Sequence, residues 1–303
     1  MKTKTPTIKN PSKHVIVFDH ARVDPSHCLT DGLFRPLKRE SNETANQALN
    51  VKYKYQDYTF WWRNYCPLNI TDQSVFLAVH RLAAEKGNVA RVGPLHENQT
   101  MCEVRAALNL DYDAKSLDVL VLETTVTEIA KTIGIAKSGS NYKQIKDSLI
   151  KLAGVSFVIY RGNDVSSIFW SATLFSHLAG VDGKIIVGIN PLLSKALSGG
   201  QSTFVSMIEQ RNLKSEVSKR LHVWLSSWIR AGGENKVELD LLIPHIWGNI
   251  VTGYTLRKRR LYLRKALSEI GTLEGWSCSE DITSNNVIIK RGKLGSCAKH
   301  LVK

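Results

Sequence analysis

No Cys-x-x-Cys pair occurs in this chain. Its five cysteines, Cys28, Cys66, Cys102, Cys278 and Cys297, are odd in number and widely scattered. That pattern argues against a disulfide framework and points to reduced thiols in a reducing, cytoplasmic setting. His20 and His27 lie near Cys28, but no second Cys/His cluster completes a tetrahedral set, so no metal is expected. Apolar runs fall far short of the roughly 20 residues a membrane span requires. Residues 15–18 are too short for the apolar core of a signal peptide, and no membrane partner is expected.

Catalytic signatures are equally sparse. No Gly-x-x-x-x-Gly-Lys-[Ser/Thr] phosphate loop is present, so no nucleotide cofactor and no helicase activity is expected. Gly183-Lys184 comes nearest and runs straight into a strand pattern. A rolling-circle nickase would need a His-x-His pair, which is missing. Asp111 and Asp113, with Asp118 and Glu123 nearby, are the sole support for a primase or nickase. The same spacing also reads as a solvated acidic turn. The chain is therefore read as a non-enzyme.

What it does have is positive charge. Forty-one Lys plus Arg against 27 Asp plus Glu give a net charge of +14 in 303 residues, with 43% hydrophobic content to build a core. Such a balance favours a polyanionic partner. The charge concentrates in residues 253–266, Gly-Tyr-Thr-Leu-Arg-Lys-Arg-Arg-Leu-Tyr-Leu-Arg-Lys-Ala. At 100° per residue, Leu256, Leu263, Leu267 and Ile270 share one narrow arc, the buried stripe of an amphipathic helix. Arg257, Lys258, Leu261, Arg264 and Lys265 then project from the opposite side, with Tyr254 on the turn before them. A helix with that cationic face matches a DNA major groove, about 12 Å wide; the competing reading is a solvated basic face.

The pattern around it predicts an α+β chain of two tandem winged-helix domains, each a helix-turn-helix followed by a β-hairpin wing. Residues 1–45 carry prolines and little periodicity and read as extended or mobile. Residues 51–64 read as an aromatic hairpin turning at Gln56-Asp57. A helix capped by Thr71 follows, reaching about Lys86 and stopped by Gly87. In the first domain, residues 46–200, a short helix ending at Gly134 and a second over residues 141–152 form the helix-turn-helix. Runs at residues 155–161 and 167–175 form its wing. A strand over residues 184–189 and a short helix from Asn190 lead to a boundary at Gly199-Gly200. In the second domain, residues 201–303, helices are expected at residues 215–230 and 237–246. The basic helix follows, then a wing over residues 275–291 with its tip at residues 284–286. The repetition is architectural, without residue-level self-similarity.

Three blocks resemble the replication protein C (RepC) initiators of IncQ-type plasmids. The first is residues 20–39, His-Ala-Arg-Val-Asp-Pro-Ser-His-Cys-Leu-Thr-Asp-Gly-Leu-Phe-Arg-Pro-Leu-Lys-Arg. The second runs from Glu128-Ile-Ala-Lys-Thr-Ile-Gly134 to Asn190-Pro-Leu-Leu193. The third runs from Leu213-Lys-Ser215 through Trp224 and Trp247 to Gly253-x-Thr255-x-Arg-Lys-Arg-Arg260 and Gly275-Trp276. The resemblance implies binding to directly repeated double-stranded DNA (iterons) at a plasmid origin, help in opening adjacent A·T-rich DNA, and action beside plasmid-encoded helicase and primase. Related iteron-binding initiators use a C-terminal winged helix for most base contacts. Their N-terminal one touches DNA and mediates formation of a homodimer.

On this reading Tyr254, Thr255, Arg257, Lys258, Leu261 and Arg264 lie nearest the bases, while Arg259, Arg260 and Lys265 hold phosphates. Ser140, Lys143, Lys146 and Lys151 form a weaker face in the first domain, with Asp147 among them. Wing residues Arg161, Lys290 and Arg291 would reach phosphates or a minor groove. A winged-helix transcriptional repressor carries the same signature and is the alternative function.

Overall fold

The computed structural model describes residues 19–37, 47–85, 89–180, 183–281 and 285–293. In chain order the first elements are β1 (His20–Val23), α1 (Pro25–Leu29), β2 (Phe34–Arg35), β3 (Leu49–Tyr55), β4 (Tyr58–Asn64), β5 (Leu68–Asn69) and α2 (Ile70–Ala83). There follow β6 (Val89–Val92), α3 (Gln99–Ala106), β7 (Asp111–Tyr112), β8 (Val119–Thr125), α4 (Val126–Ile133) and α5 (Gly139–Ala153). Next come β9 (Ser156–Arg161), β10 (Ile168–Thr173), β11 (Phe175–Ala179), β12 (Lys184–Ile189), α6 (Pro191–Leu197), β13 (Thr203–Ser206) and α7 (Met207–Asn212). The last unit is α8 (Glu216–Trp228), β14 (Glu234–Glu238), α9 (Leu242–Trp247), α10 (Gly253–Ile270), β15 (Trp276–Asp281) and β16 (Asn286–Arg291).

Two winged helices in series emerge, as the helical and strand periodicities predict. In the first, α2 is the central helix, buried on almost every side. Its cap is Asn69 rather than Thr71. The Asp72 amide donates to Asn69 Oδ1 at 3.0 Å and the Asn69 amide to Asp72 Oδ2 at 2.8 Å, a reciprocal box that satisfies two orphan donors. Gly87 lies outside the described residues. Helix α4 opens on the same device, Thr125 with Glu128, and closes on Gly134 at φ 81°, the left-handed turn that leads to α5. Ile145, Leu149 and Leu152 of α5 face inward.

The wing strands β9 and β10 belong to a five-stranded sheet ordered β3-β4-β9-β10-β7. The aromatic hairpin β3–β4, turning through Gln56 at φ 53°, extends the wing instead of standing alone. A four-stranded sheet, β11-β12-β8-β6, backs the first unit.

The second unit packs α8, α9 and α10 against a three-stranded sheet, β14-β16-β15. Here the expected helix from Val237 is corrected. Residues 234–238 form a strand, with Val237 opposite Val287, and the helix begins only at Leu242. One apolar residue in that strand was too little alternation to separate it from the helix behind it. Of the expected wing tip, residue 284 lies outside the described residues, and Asn285 has φ 53°.

The N-terminal segment also departs from expectation. Residues 1–18 and 38–46 lie outside the described residues, but 19–37 are packed into the fold. Strand β1 pairs antiparallel with β13, His20 opposite Ser206 and Val23 opposite Thr203. Ala21, Val23, Cys28, Leu33 and Phe34 are buried in the first core, while Leu29 packs on the second. The segment straps the two units together by placing apolar side chains against both cores. The first core extends to Val205, Met207 and Val223, and the second begins at Leu213.

Candidate nucleic-acid interface

Helix α10 follows the predicted phase. Leu263, Ala266, Leu267 and Ile270 are buried and Leu256 is half-buried against the same core. On the other side Tyr254 (77% exposed), Thr255, Arg257, Lys258, Leu261 (50% exposed), Arg264 and Lys265 face outward. Tyr254 sits in the first turn of the helix itself, with the Lys258 ammonium 5.9 Å from its ring centre.

The basic residues are not equivalent. Arg259 is buried, contrary to its expected place among the phosphate contacts. Its guanidinium lies 4.9 Å from the Trp247 ring centre and donates to the Asn249 carbonyl at 3.2 Å and to Asn249 Oδ1 at 2.7 Å. It fastens the turn between α9 and α10. The sequence held the signal: Arg259 falls three residues after Leu256 and four before Leu263, inside the apolar arc.

Arg260 pairs with Asp240, Nε to Oδ1 at 2.7 Å with a second bond from Nη2 to Oδ2. The hydrogen bond from Arg260 holds the Asp240 carboxyl below its usual range. Arg264 reaches across to the wing, Nε to Glu280 Oε1 at 2.8 Å and Oε2 at 3.0 Å. Arg260 braces the helix against the turn between β14 and α9, and Arg264 braces it against the wing, while both keep part of their surface in solvent. Asp240, Asn249 and Glu280 escaped sequence reasoning because each becomes informative only beside its arginine. Ile250, 85% exposed in the turn before α10, was missed for lack of any periodic context.

In the wing, Lys290 is exposed and pairs with Glu234 at 2.7 Å. Arg291 is the second correction. It is buried, with its guanidinium 5.5 Å from the Trp276 ring centre. It donates to the carbonyls of Ser226, of Ile229 at 3.0 Å and of Phe204 at 2.8 Å. Those bonds tie β16 to the end of α8 and to β13, so the side chain does not reach outward to a phosphate or a minor groove.

The first unit presents Ser140, Lys143 and Lys146 exposed on α5, with Asp147 exposed among them, and Arg161 exposed at the end of β9. Lys151 differs from expectation. Its ammonium turns inward to 3.7 Å from buried Asp72, whose carboxyl also accepts from Ser148 Oγ at 2.6 Å. Burial raises the Asp72 pKa even with Ser148 and Lys151 beside it.

The acidic residues considered for catalysis do not converge: Asp118 pairs with Arg91 at 3.7 Å and Glu123 with Lys184 at 3.3 Å. Among the described residues no group of three His, Cys, Asp or Glu could hold a metal ion. No helix among them is long and apolar enough to cross a membrane.

Domains 2 and 3 of RctB, solved as crystals of selenomethionine derivatives, superpose with a TM-score of 0.53 at 12% identity, covering 89% of this chain and 99% of that one. A second crystal structure of RctB domains 2–3 gives 0.51 at 11% identity, covering 89% and 97%. The shared feature at that identity is the fold. No curated protein matches the sequence. The family model for replication protein C (RepC), however, matches residues 16–293, which span the strap, both winged helices and the basic helix. The chain belongs to the replication protein C family of replication initiators.

Proposed function

We propose that this chain is a plasmid replication initiator of the IncQ type. It recognises directly repeated iteron DNA, opens neighbouring A·T-rich DNA and recruits plasmid-encoded helicase and primase, with no catalytic turnover of its own. The observation that carries this reading is the outward face of α10, where Tyr254, Arg257, Lys258, Leu261, Arg264 and Lys265 stand together above a three-stranded wing. A helix of that shape and charge enters a major groove, while wing cations such as Lys290 approach the backbone. The second domain, residues 201–303, reads the bases. The first, residues 46–200, adds backbone contacts through Lys143, Lys146 and Arg161 and supplies the surface for a homodimer. Corrected for Arg259, Arg291 and Lys151, the proposed surface is smaller than the sum of the cations. Binding energy, rather than chemistry, does the work of distorting the origin.

The test is fluorescence anisotropy of the intact chain on duplexes bearing the direct repeats of its own origin, against scrambled duplexes of equal composition. Each phosphate neutralised contributes about −0.9 to the slope of log K against log salt. The reading requires tighter binding to the repeats and a steep salt dependence. Equal affinity for both duplexes overturns it, as does DNA-stimulated nucleotide hydrolysis or strand cleavage by the purified chain.

A further inference from the structure

Leu261 lies at the centre of the exposed face of α10. Side chains three and four residues apart are neighbours on a helix surface, and all four such neighbours of Leu261 are cations: Arg257, Lys258, Arg264 and Lys265. All four are exposed. Arg264 is held by Glu280, while Arg257, Lys258 and Lys265 make no ion pair among the described residues. Leu261 itself is 50% exposed, on the side of the helix away from Leu263, Ala266 and Ile270, so it adds nothing to the core. The arrangement is a single apolar spot inside a ring of positive charge.

A partner for that spot must be strongly anionic around its rim and apolar at one point. An apolar protein surface would leave Arg257, Lys258 and Lys265 desolvated without counter-charge. The major groove of a DNA duplex meets both conditions: phosphates line its edges, and its floor offers one apolar group, the 5-methyl of thymine. We propose that Leu261 is a specificity-determining residue that reads a thymine methyl, with the surrounding cations bonded to flanking phosphates and guanine edges. The proposal rests on the DNA-reading function above and names the chemistry its central position selects.

The experiment uses duplexes enriched from a random-sequence pool by the intact wild-type chain. Each is resynthesised with single thymines replaced by deoxyuridine, which removes only the methyl. Losing one buried methyl-sized contact corresponds to about a fourfold change in affinity. The expected result is a loss of that size at one or two thymines for the wild type. Leu261→Ala should melt like the wild type and bind thymine and deoxyuridine probes equally. The proposal is overturned if the wild type is indifferent to deoxyuridine at every position, or if the penalty persists undiminished in Leu261→Ala. Enrichment of a sequence with indifference to the methyl removes only the role of Leu261. A pool that yields no enriched sequence removes the DNA-reading function and this proposal together.

Discussion

The Arg220 guanidinium and the Cys28 carbonyl, 192 positions apart in the chain, are joined by a 2.9 Å hydrogen bond in a site closed to solvent. The same side chain donates to the Thr30 carbonyl at 2.9 Å, and no carboxylate among the described residues forms an ion pair with it. Burial pushes its pKa down to about 10, so it stays protonated at neutral pH, with both of its hydrogen bonds going to carbonyls. Replacing it orphans two buried acceptors at about 1–3 kcal/mol each. Arg220→Met should therefore lower Tm by roughly 5–10 °C. An unchanged melting curve would mean that the carbonyls of the strap find other donors.

The two faces of α10 make opposite predictions. Lys258 is exposed, so Lys258→Glu should abolish sequence-specific DNA binding and change stability by no more than about 0.5 kcal/mol. Leu263 is wholly buried, and Leu263→Glu places an unpaired carboxylate in the second core. That variant should melt early or fail to accumulate as folded protein, losing DNA only as a consequence. Thermal melts and repeat-DNA affinities on both variants check the pair, and a reversed outcome would discard the recognition surface.

A finer contrast separates adjacent arginines. Arg257→Gln should weaken binding and leave Tm where it is. Arg259→Gln removes the bonds to Asn249 and the contact with Trp247, so it should cost about 1–3 kcal/mol of stability. It should also loosen the turn that presents α10, so binding weakens only together with stability. If Arg259→Gln melts like the wild type, the turn does not depend on it.

Helix phase was legible because it is local: Gly134 and the apolar arc of α10 are each contained in a few turns of helix, whereas the cap of α2 is Asn69 and not the neighbouring Thr71. The strap was not. Nothing in residues 19–37 announces that β1 pairs with residues 203–206, since strand partners distant in sequence leave no periodic trace. The functional surface was legible in outline and wrong in membership for a related reason. A basic residue reads alike in sequence whether it faces solvent, as Lys258 does, or caps carbonyls in the interior, as Arg291 does. Only its neighbours decide.

Acid should destabilise the first core through His80. The imidazole is fully buried, with Nδ1 2.8 Å from the Phe76 carbonyl and its ring 4.3 Å from that of Phe76. Burial pushes its pKa down to about 3. The unfolded chain takes up this proton near pH 6.5, its ordinary value, and the folded chain does not. Its contribution to stability is thus complete above pH 6.5 and is lost progressively on acidification toward pH 3. His80→Phe should flatten that part of the profile in thermal melts from pH 7 to pH 4. An identical acid slope in both proteins would locate the sensitive group elsewhere.

The strap also sets an order of events during synthesis. Cys28 leaves the ribosome 192 positions ahead of Arg220, its hydrogen-bond partner. At about 5–20 residues per second, that is a wait of roughly 10–40 s. Strand β1 meanwhile lacks β13, the only other strand of its sheet among the described residues, and Ala21, Val23, Leu33 and Phe34 lack a finished core to enter. The first-made part of the described chain is consequently among the last to dock. A nascent chain halted before β13 emerges would display an unpaired strand with an apolar side, the kind of segment that chaperones act upon.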